Sequence, residues 1–155
     1  MNTSLCYIEK ENQYLMLHRN KKAADLNQGK WIGVGGKFEN NETPEACMIR
    51  EVWEETNLHV LSYEYKGIVT FCYDEMIEYM HLFKVTKFEG EVSSSDEGTL
   101  KWIDKQAVYD LNLWEGDRYF LPLLEEKRAF FSMKLVYNKD KLIEVVLDGK
   151  RIKNE

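Results

Sequence analysis

Residues 36–58 read GKFENNETPEACMIREVWEETNL. Thr43 is a strong helix N-cap, and Pro44 falls on the favoured first helical position. The spacing therefore predicts a helix over Thr43–Thr56. Glutamates follow at positions 45, 51, 54 and 55. At about 100° per residue, Glu54 and Glu55 fall within about 60° on either side of Glu51. Met48, Val52, Ile49, Trp53 and Ala46 fill a neighbouring arc expected to face the core. Three carboxylates thus share one narrow stripe beside a buried one.

That stripe is costly by itself, because like charges three or four residues apart on a helix repel by roughly 0.2–0.5 kcal/mol per exposed pair. Two readings account for it. One is a solvated acidic face carrying an Arg50–Glu54 ion pair. The other is a cluster that holds a hard cation: Mg²⁺ takes oxygen ligands, neutralises phosphate oxygens and activates water. The helix alone leaves both open.

The rest of the chain bounds the context. Its 155 residues are one domain's worth, so residues 1–155 are expected to form a single domain. Hydrophobic residues make up 44% and charged residues 31%, with a formal net charge of −6. Duplex nucleic acid and anionic membranes both require a surplus of Lys and Arg, so neither is an expected partner. No protein partner is implied. A small anionic substrate remains compatible, because a bound divalent cation reverses the local charge. Cys6, Cys47 and Cys72 are odd in number, scattered and without a C-x-x-C, which points away from a disulfide framework or zinc site and toward a reducing cytoplasm. The opening MNTSLCYIEKENQYL has no basic segment leading into an apolar run, so no signal peptide is expected. No apolar stretch approaches the roughly 20 residues of a membrane span.

Outward from the helix, strands are expected at Ser4–Ile8 and Gln13–Arg19 around a turn at Glu9–Asn12, and at Tyr65–Tyr73, Glu78–Thr86 and Thr99–Ile103. Gly33-Val34-Gly35-Gly36 is a flexible bend and Glu89–Gly98 a loop. Helices are expected at Lys105–Leu111 and Leu121–Ala129, with a hairpin over Met133–Leu147. This order predicts a mixed sheet with helices on both faces.

The helix and its approach resemble the Nudix box of the MutT-type hydrolases, G-x5-E-x7-R-E-U-x-E-E-x-G-U, with U a bulky apolar residue. The matching residues are Gly36, Glu42, Arg50, Glu51, Val52, Glu54, Glu55 and Leu58. One position departs: the final Gly is Asn57, the residue next most tolerant of the left-handed conformation that ends such a helix. The resemblance implies the Nudix fold, an α/β/α sandwich with a mixed, curled central sheet. It also implies Mg²⁺ (or Mn²⁺) held by Glu54 and Glu55, with Glu51 a ligand or the general base and the Gly35 carbonyl in the ligand set. Arg50 and Glu42, and Gly36 beside them, would orient the glutamates. Glu97, five residues before Trp102, occupies the place of a further loop carboxylate.

The stretches LMLHRNKKAADLNQGKWIGVGGKF and LNLWEGDRYFLPLLEEKRAFF look like the approach to the box and the base-binding segment of enzymes that hydrolyse oxidised purine nucleoside triphosphates such as 8-oxo-dGTP. In that comparison Trp114 stacks on the purine and Asp117 bonds its edge. Core packing for Trp114 and helix capping for Asp117 are the alternatives. Lys37 and Lys22 are candidate phosphate contacts. Ile32 stands where the family often carries a base-reading Asn. His18, His59 and His81 show no metal-ligand spacing, and Trp31, Trp53 and Trp102 are read as packing residues. The implied activity is Mg²⁺-dependent release of pyrophosphate from purine nucleoside triphosphates, a sanitation of the nucleotide pool that protects DNA. ADP-ribose or a dinucleoside polyphosphate as substrate, or an inactive Nudix-fold binding module, are the rival expectations.

Overall fold

Alternation along the strands sets the architecture. A computed structural model describes residues 1–21 and 25–154. In β1 (Asn2–Lys10), Leu5 and Tyr7 enter one buried cluster while Cys6 and Ile8 enter another. In β2 (Gln13–His18), Tyr14 and Met16 oppose Leu15. In β6 (Met76–Glu89), Leu82 opposes Phe83 and Val85. Side chains of a strand alternate between faces, so the sheet is covered on both. One face takes α1 (Pro44–Thr56) through Met48 and Val52. The other takes Val108, Phe120, Leu121 and Leu124 from the segment after β7 (Thr99–Asp104). The layering is the helix–sheet–helix arrangement expected.

Among the described residues ten strands form one mixed sheet. The remaining strands are β3 (Trp31–Ile32), β4 (Val34–Lys37), β5 (His59–Tyr73), β8 (Phe131–Asn138), β9 (Lys141–Leu147) and β10 (Lys150–Asn154). Their path is β10-β9-β8-β5-β6-β1-β2-β3, with β4 also paired to β1 and β7 to β2. The β1–β6 and β5–β8 pairs are parallel and the others antiparallel. β1 divides its pairing: Thr3–Cys6 meet β4, and Ile8–Lys10 meet β2. That fork carries Gly35 and Gly36, within β4, against Leu5 and Ser4 of β1 and alongside α1.

Five expectations change. The bend expected at Gly33-Val34-Gly35-Gly36 is mostly strand β4, held by its ladder to β1. The helix expected at Lys105–Leu111 is a single 3₁₀ turn, Ala107–Asp110. The one expected at Leu121–Ala129 is a four-residue α2 (Asp117–Phe120) followed by a 3₁₀ turn, Leu121–Glu125. Pro122 has no N–H to continue an α-helical ladder begun at Asp117, so the backbone tightens there. β5 and β6 run longer than expected, with register shifts near Val60, Ser62 and Tyr65 that break the alternation. β10 was not anticipated, although Asp148-Gly149, with φ of 49° and 84°, is an Asp-Gly hairpin turn of the kind that announces another strand.

Candidate active site

The local chemistry of α1 is as the sequence predicts. The Thr43 hydroxyl accepts from the Ala46 N–H at 3.1 Å. At the far end Asn57 adopts φ 67°, ψ 21°, and its N–H reaches the Trp53 carbonyl. The rotation of the helix differs from the expectation. Ile49 and Trp53 are each 42% exposed, and Ala46 is exposed too. Trp53 stacks on His59, ring centroids 4.2 Å apart. The inward arc runs from Cys47 through Glu51, Glu55, Met48 and Val52 to Thr56, so two carboxylates lie on the inner face itself and are half-buried. Glu54 stays outside. Loop partners draw the two carboxylates in, and the apolar side chains of the opposite arc are left in solvent.

Arg50 organises one side. Its Nε and Nη2 hold Glu42 in a fork at 2.7 and 3.0 Å. Its Nη1 donates to Glu51 at 2.6 Å and to Glu54 at 3.0 Å, and Nη2 also reaches the Lys37 carbonyl. A forked guanidinium–carboxylate pair is among the stronger hydrogen-bonded contacts. The Arg50 guanidinium, with the Glu39 N–H, holds the Glu42 carboxyl down at about 2. Burial pushes the Glu51 carboxyl up; Arg50 opposes this, while Glu54 and Glu97 reinforce it. Gly36 closes over Glu51: a Cβ there would lie 2.4 Å from Oε2. Gly35 has no room either, since a Cβ would lie 1.9 Å from the Ser4 carbonyl oxygen.

The other side comes from the loop before β7. Ser95 accepts from the Glu97 N–H at 3.1 Å and donates to Glu55 at 2.7 Å. Arg19 donates to Glu97 at 3.0 Å and to Asp25 at 2.7 Å. Burial raises the Glu55 carboxyl, Ser95 opposes, and the charges of Glu97 and Glu51 add to the rise. Glu97, the loop carboxylate that the resemblance singled out, is thus brought near the glutamates of α1. Ser95 and Arg19 were missed. The bonds that tie them to the site carboxylates, Ser95 to Glu55 and Arg19 to Glu97, span 40 and 78 residues.

A groove lined by Glu51, Glu54, Glu97, Arg19 and Lys37 shares Gly35, Gly36, Lys37 and Arg19 with a cavity of about 210 Å³. Trp114 and Asp117 line that cavity, as do Phe71, Ile32 and Asn27. Trp114 is 4% exposed, meets Phe71, Tyr73 and Tyr137 edge-on, and donates from Nε1 to Asn27 Oδ1 at 2.7 Å. It is a packed residue and a cavity wall at once. Asp117 is 5% exposed, and among the described residues its carboxyl receives no hydrogen bond. Burial drives its pKa up to about 8, against the pull of Lys30 and Arg118. It does not cap α2, whose N-cap is Gly116 with no side-chain bond. Lys37 is exposed at the junction of groove and cavity. Lys22 lies outside the described residues. His18 stacks on Trp31, His81 sits between Tyr65 and Asn2, and Trp102 stacks on Phe88, all in packing roles.

Comparison with known proteins bears on this geometry. The NUDIX domain model matches residues 2–124. The chain belongs to the Nudix family. An oxidized purine nucleoside triphosphate hydrolase of Danio rerio is 32% identical over 129 residues, covering 82% of this chain and 83% of its own. A mouse (Mus musculus) protein of the same name is 28% identical over 152 residues, covering 95% and 96%. The crystal structure of a MutT protein from Bacillus halodurans superposes with a TM-score of 0.84 at 30% identity, covering 95% of this chain and 97% of that one. The chain is therefore a Nudix hydrolase, of a family that acts on small nucleotide substrates and generally uses divalent metal ions. No described helix is long and apolar enough to cross a membrane.

The donor chemistry fits such an ion. Glu51 and Glu55 sit half-buried on one helix face, and both feel the charge of Glu97. Like charges gathered this way, in oxygen-only company, match the preference of a hard divalent cation. Among the described residues no three ligating side chains already meet in a coordination geometry, so the fit lies in the donor set and its charge.

Proposed function

We propose that this Nudix hydrolase cleaves purine nucleoside triphosphates, with preference for oxidised purines such as 8-oxo-dGTP, to the monophosphate and pyrophosphate. The observation that carries the reading is Asp117: a buried carboxyl, unpaired among the described residues, lining a cavity beside Trp114 that opens onto the Nudix glutamates. A buried polar group without a partner is costly. A purine edge, with ring N–H and amino donors, satisfies it, and an indole face offers a stacking surface worth about 1–3 kcal/mol. The names of the Danio rerio and mouse relatives point the same way.

In this reading Glu54, Glu55 and Glu97, with the Gly35 carbonyl, would hold Mg²⁺ or Mn²⁺, and Glu51 would be a further ligand or the general base. The ion would neutralise phosphate charge and make water a better nucleophile. The chain's own groups do the rest. Arg50 fixes one Glu51 oxygen and, through Glu42, the entry to α1. A carboxyl with proton affinity raised by burial is suited to take the proton of the attacking water, and Glu51 has that setting. Lys37 stands between groove and cavity, where the phosphates of a nucleotide based in the cavity would pass. Water attacks a phosphorus of the triphosphate, the bridging P–O bond between the α and β phosphorus atoms breaks to give monophosphate and pyrophosphate, and the water's proton leaves to the base.

The test is Mg²⁺-dependent pyrophosphate release across 8-oxo-dGTP, dGTP, other nucleoside triphosphates, ADP-ribose and a dinucleoside polyphosphate. The expected result is the highest kcat/KM for 8-oxo-dGTP. A ratio of 8-oxo-dGTP to dGTP near one removes the oxidised-purine preference, and activity confined to ADP-ribose or dinucleoside polyphosphates removes the triphosphate reading.

A further inference from the structure

The cavity presents a base with two carboxyl groups, Asp117 and Glu78. Glu78 accepts from the Thr3 hydroxyl at 2.7 Å through one of its oxygens. Carboxyl groups pair with the ring N–H and amino donors of a purine. A 6-oxopurine also carries a carbonyl oxygen, and that oxygen needs a donor.

Asn27 lines the same cavity. Its Oδ1 accepts from Trp114 Nε1 at 2.7 Å. An indole N–H can only donate, so the amide atom facing it is the oxygen, and the usual ambiguity between amide oxygen and nitrogen disappears. The NH₂ group is left without a partner among the described residues. The backbone is held as well: the Asn27 N–H donates to Asp25 Oδ1 at 3.1 Å, and Asp25 is tied to Arg19. Asn27 is half-buried and lines the same cavity as Trp114 and Asp117, where Ile32 brings no polar side-chain atom.

We propose that Asn27 is a specificity-determining residue whose side-chain NH₂ donates to the 6-oxygen of a bound oxopurine, held in the donating orientation by Trp114. The proposal rests on the purine nucleotide reading above and names how that cavity tells one purine from another. Trp114 then has two tasks, a stacking face for the ring and a clamp for the amide.

The experiment compares dGTP with 2-aminopurine deoxyribonucleoside triphosphate, which keeps the 2-amino group and lacks the 6-oxygen and, with it, the N1–H; the effect of Asn27 is read from the change between wild type and variants. Asn27→Asp retains an oxygen for Trp114 and replaces the NH₂ by a second acceptor; Asn27→Ala removes both. Melting curves report that each variant is folded. Wild type should prefer dGTP in kcat/KM by at least about tenfold, since a site built to bond a polar group discriminates against its absence. Both variants should lower the ratio at least about threefold, through a higher KM for dGTP and little change for 2-aminopurine, the remainder reflecting the lost N1–H. A wild-type ratio near one, or one unchanged in both variants while purine triphosphates are still hydrolysed, overturns the role of Asn27 alone. Failure of wild type to hydrolyse any purine triphosphate overturns the purine reading and this proposal with it.

Discussion

Glu54 and Glu55 are neighbours in sequence with different surroundings. The Glu54 side chain is 51% exposed and leans on Arg50, while Glu55 is half-buried and accepts from Ser95. Glutamine keeps the shape of each and removes the charge a metal site needs. Glu54→Gln and Glu55→Gln should therefore each lower turnover by at least about 100-fold with the fold intact. Near-normal kcat in both at saturating Mg²⁺ would remove them from the metal site. Asp117 provides a pH test at the same scale. Its carboxyl is raised from 3.8 to about 8 by burial, so the folded state resists losing that proton and the unfolded chain does not. The stability that comes from keeping it is fully present below about pH 4. It is lost as pH rises through about 8, and the loss levels off above. Asp117→Asn stays neutral throughout, so the melting temperature of the variant minus that of wild type should climb across this window. A difference independent of pH would mean that Asp117 ionises freely in the fold.

The α1 element shows what local sequence can and cannot convey. Its cap residues act within a few positions of themselves, so Thr43, Pro44 and Asn57 were all legible, and each has its expected role in the structure. Its rotation was not. A helical wheel ranks faces by hydrophobicity, whereas the inward turn of Glu51 and Glu55 depends on Gly36 and Ser95, which come from other elements. The wheel accordingly placed Ile49 and Trp53 in the core, and both are exposed. The segment after β7 was misread for a related reason: its apolar residues suit a helix, but Pro122 interrupts the backbone ladder, and burial is completed by 3₁₀ turns. Asn57 offers the test for the element. At φ 67° it occupies a conformation that glycine enters without steric cost. Asn57→Gly should leave stability equal or higher by up to about 1 kcal/mol, with activity within about threefold. A large activity loss without unfolding would show that the Asn57 side chain has a chemical task of its own.

The cavity and the carboxylate groove are properties of the whole molecule. The parallel β5–β8 pairing sets Phe71 beside Leu135 and brings Tyr137 against Trp114, joining the last strands to the cavity that Trp114 lines. No window of sequence shows that contact. The Nudix box was legible through motif spacing, and Trp114 and Asp117, which line the cavity, entered through resemblance; Asn27, Arg19 and Ser95 depend on which loops the sheet brings together. The acidic groove likewise exists only in the folded chain, where burial raises the proton affinity of Glu51 and Glu55 and the charge of Glu97 adds to both. Unfolding disperses them, so a divalent cation bound there should favour the folded state by RT ln(1 + [L]/Kd), about 2.7 kcal/mol at 100 times Kd. For a chain of this size that corresponds to a rise in Tm of roughly 5–10 °C. Mg²⁺ should raise Tm above that in NaCl of equal ionic strength, which separates site binding from general screening. Chelator should return it to the lower value, and Glu54→Gln and Glu55→Gln should each reduce the increment. Identical melting curves with Mg²⁺ and with chelator, at Mg²⁺ concentrations that support turnover, would mean that these carboxylates do not hold the metal in the free enzyme.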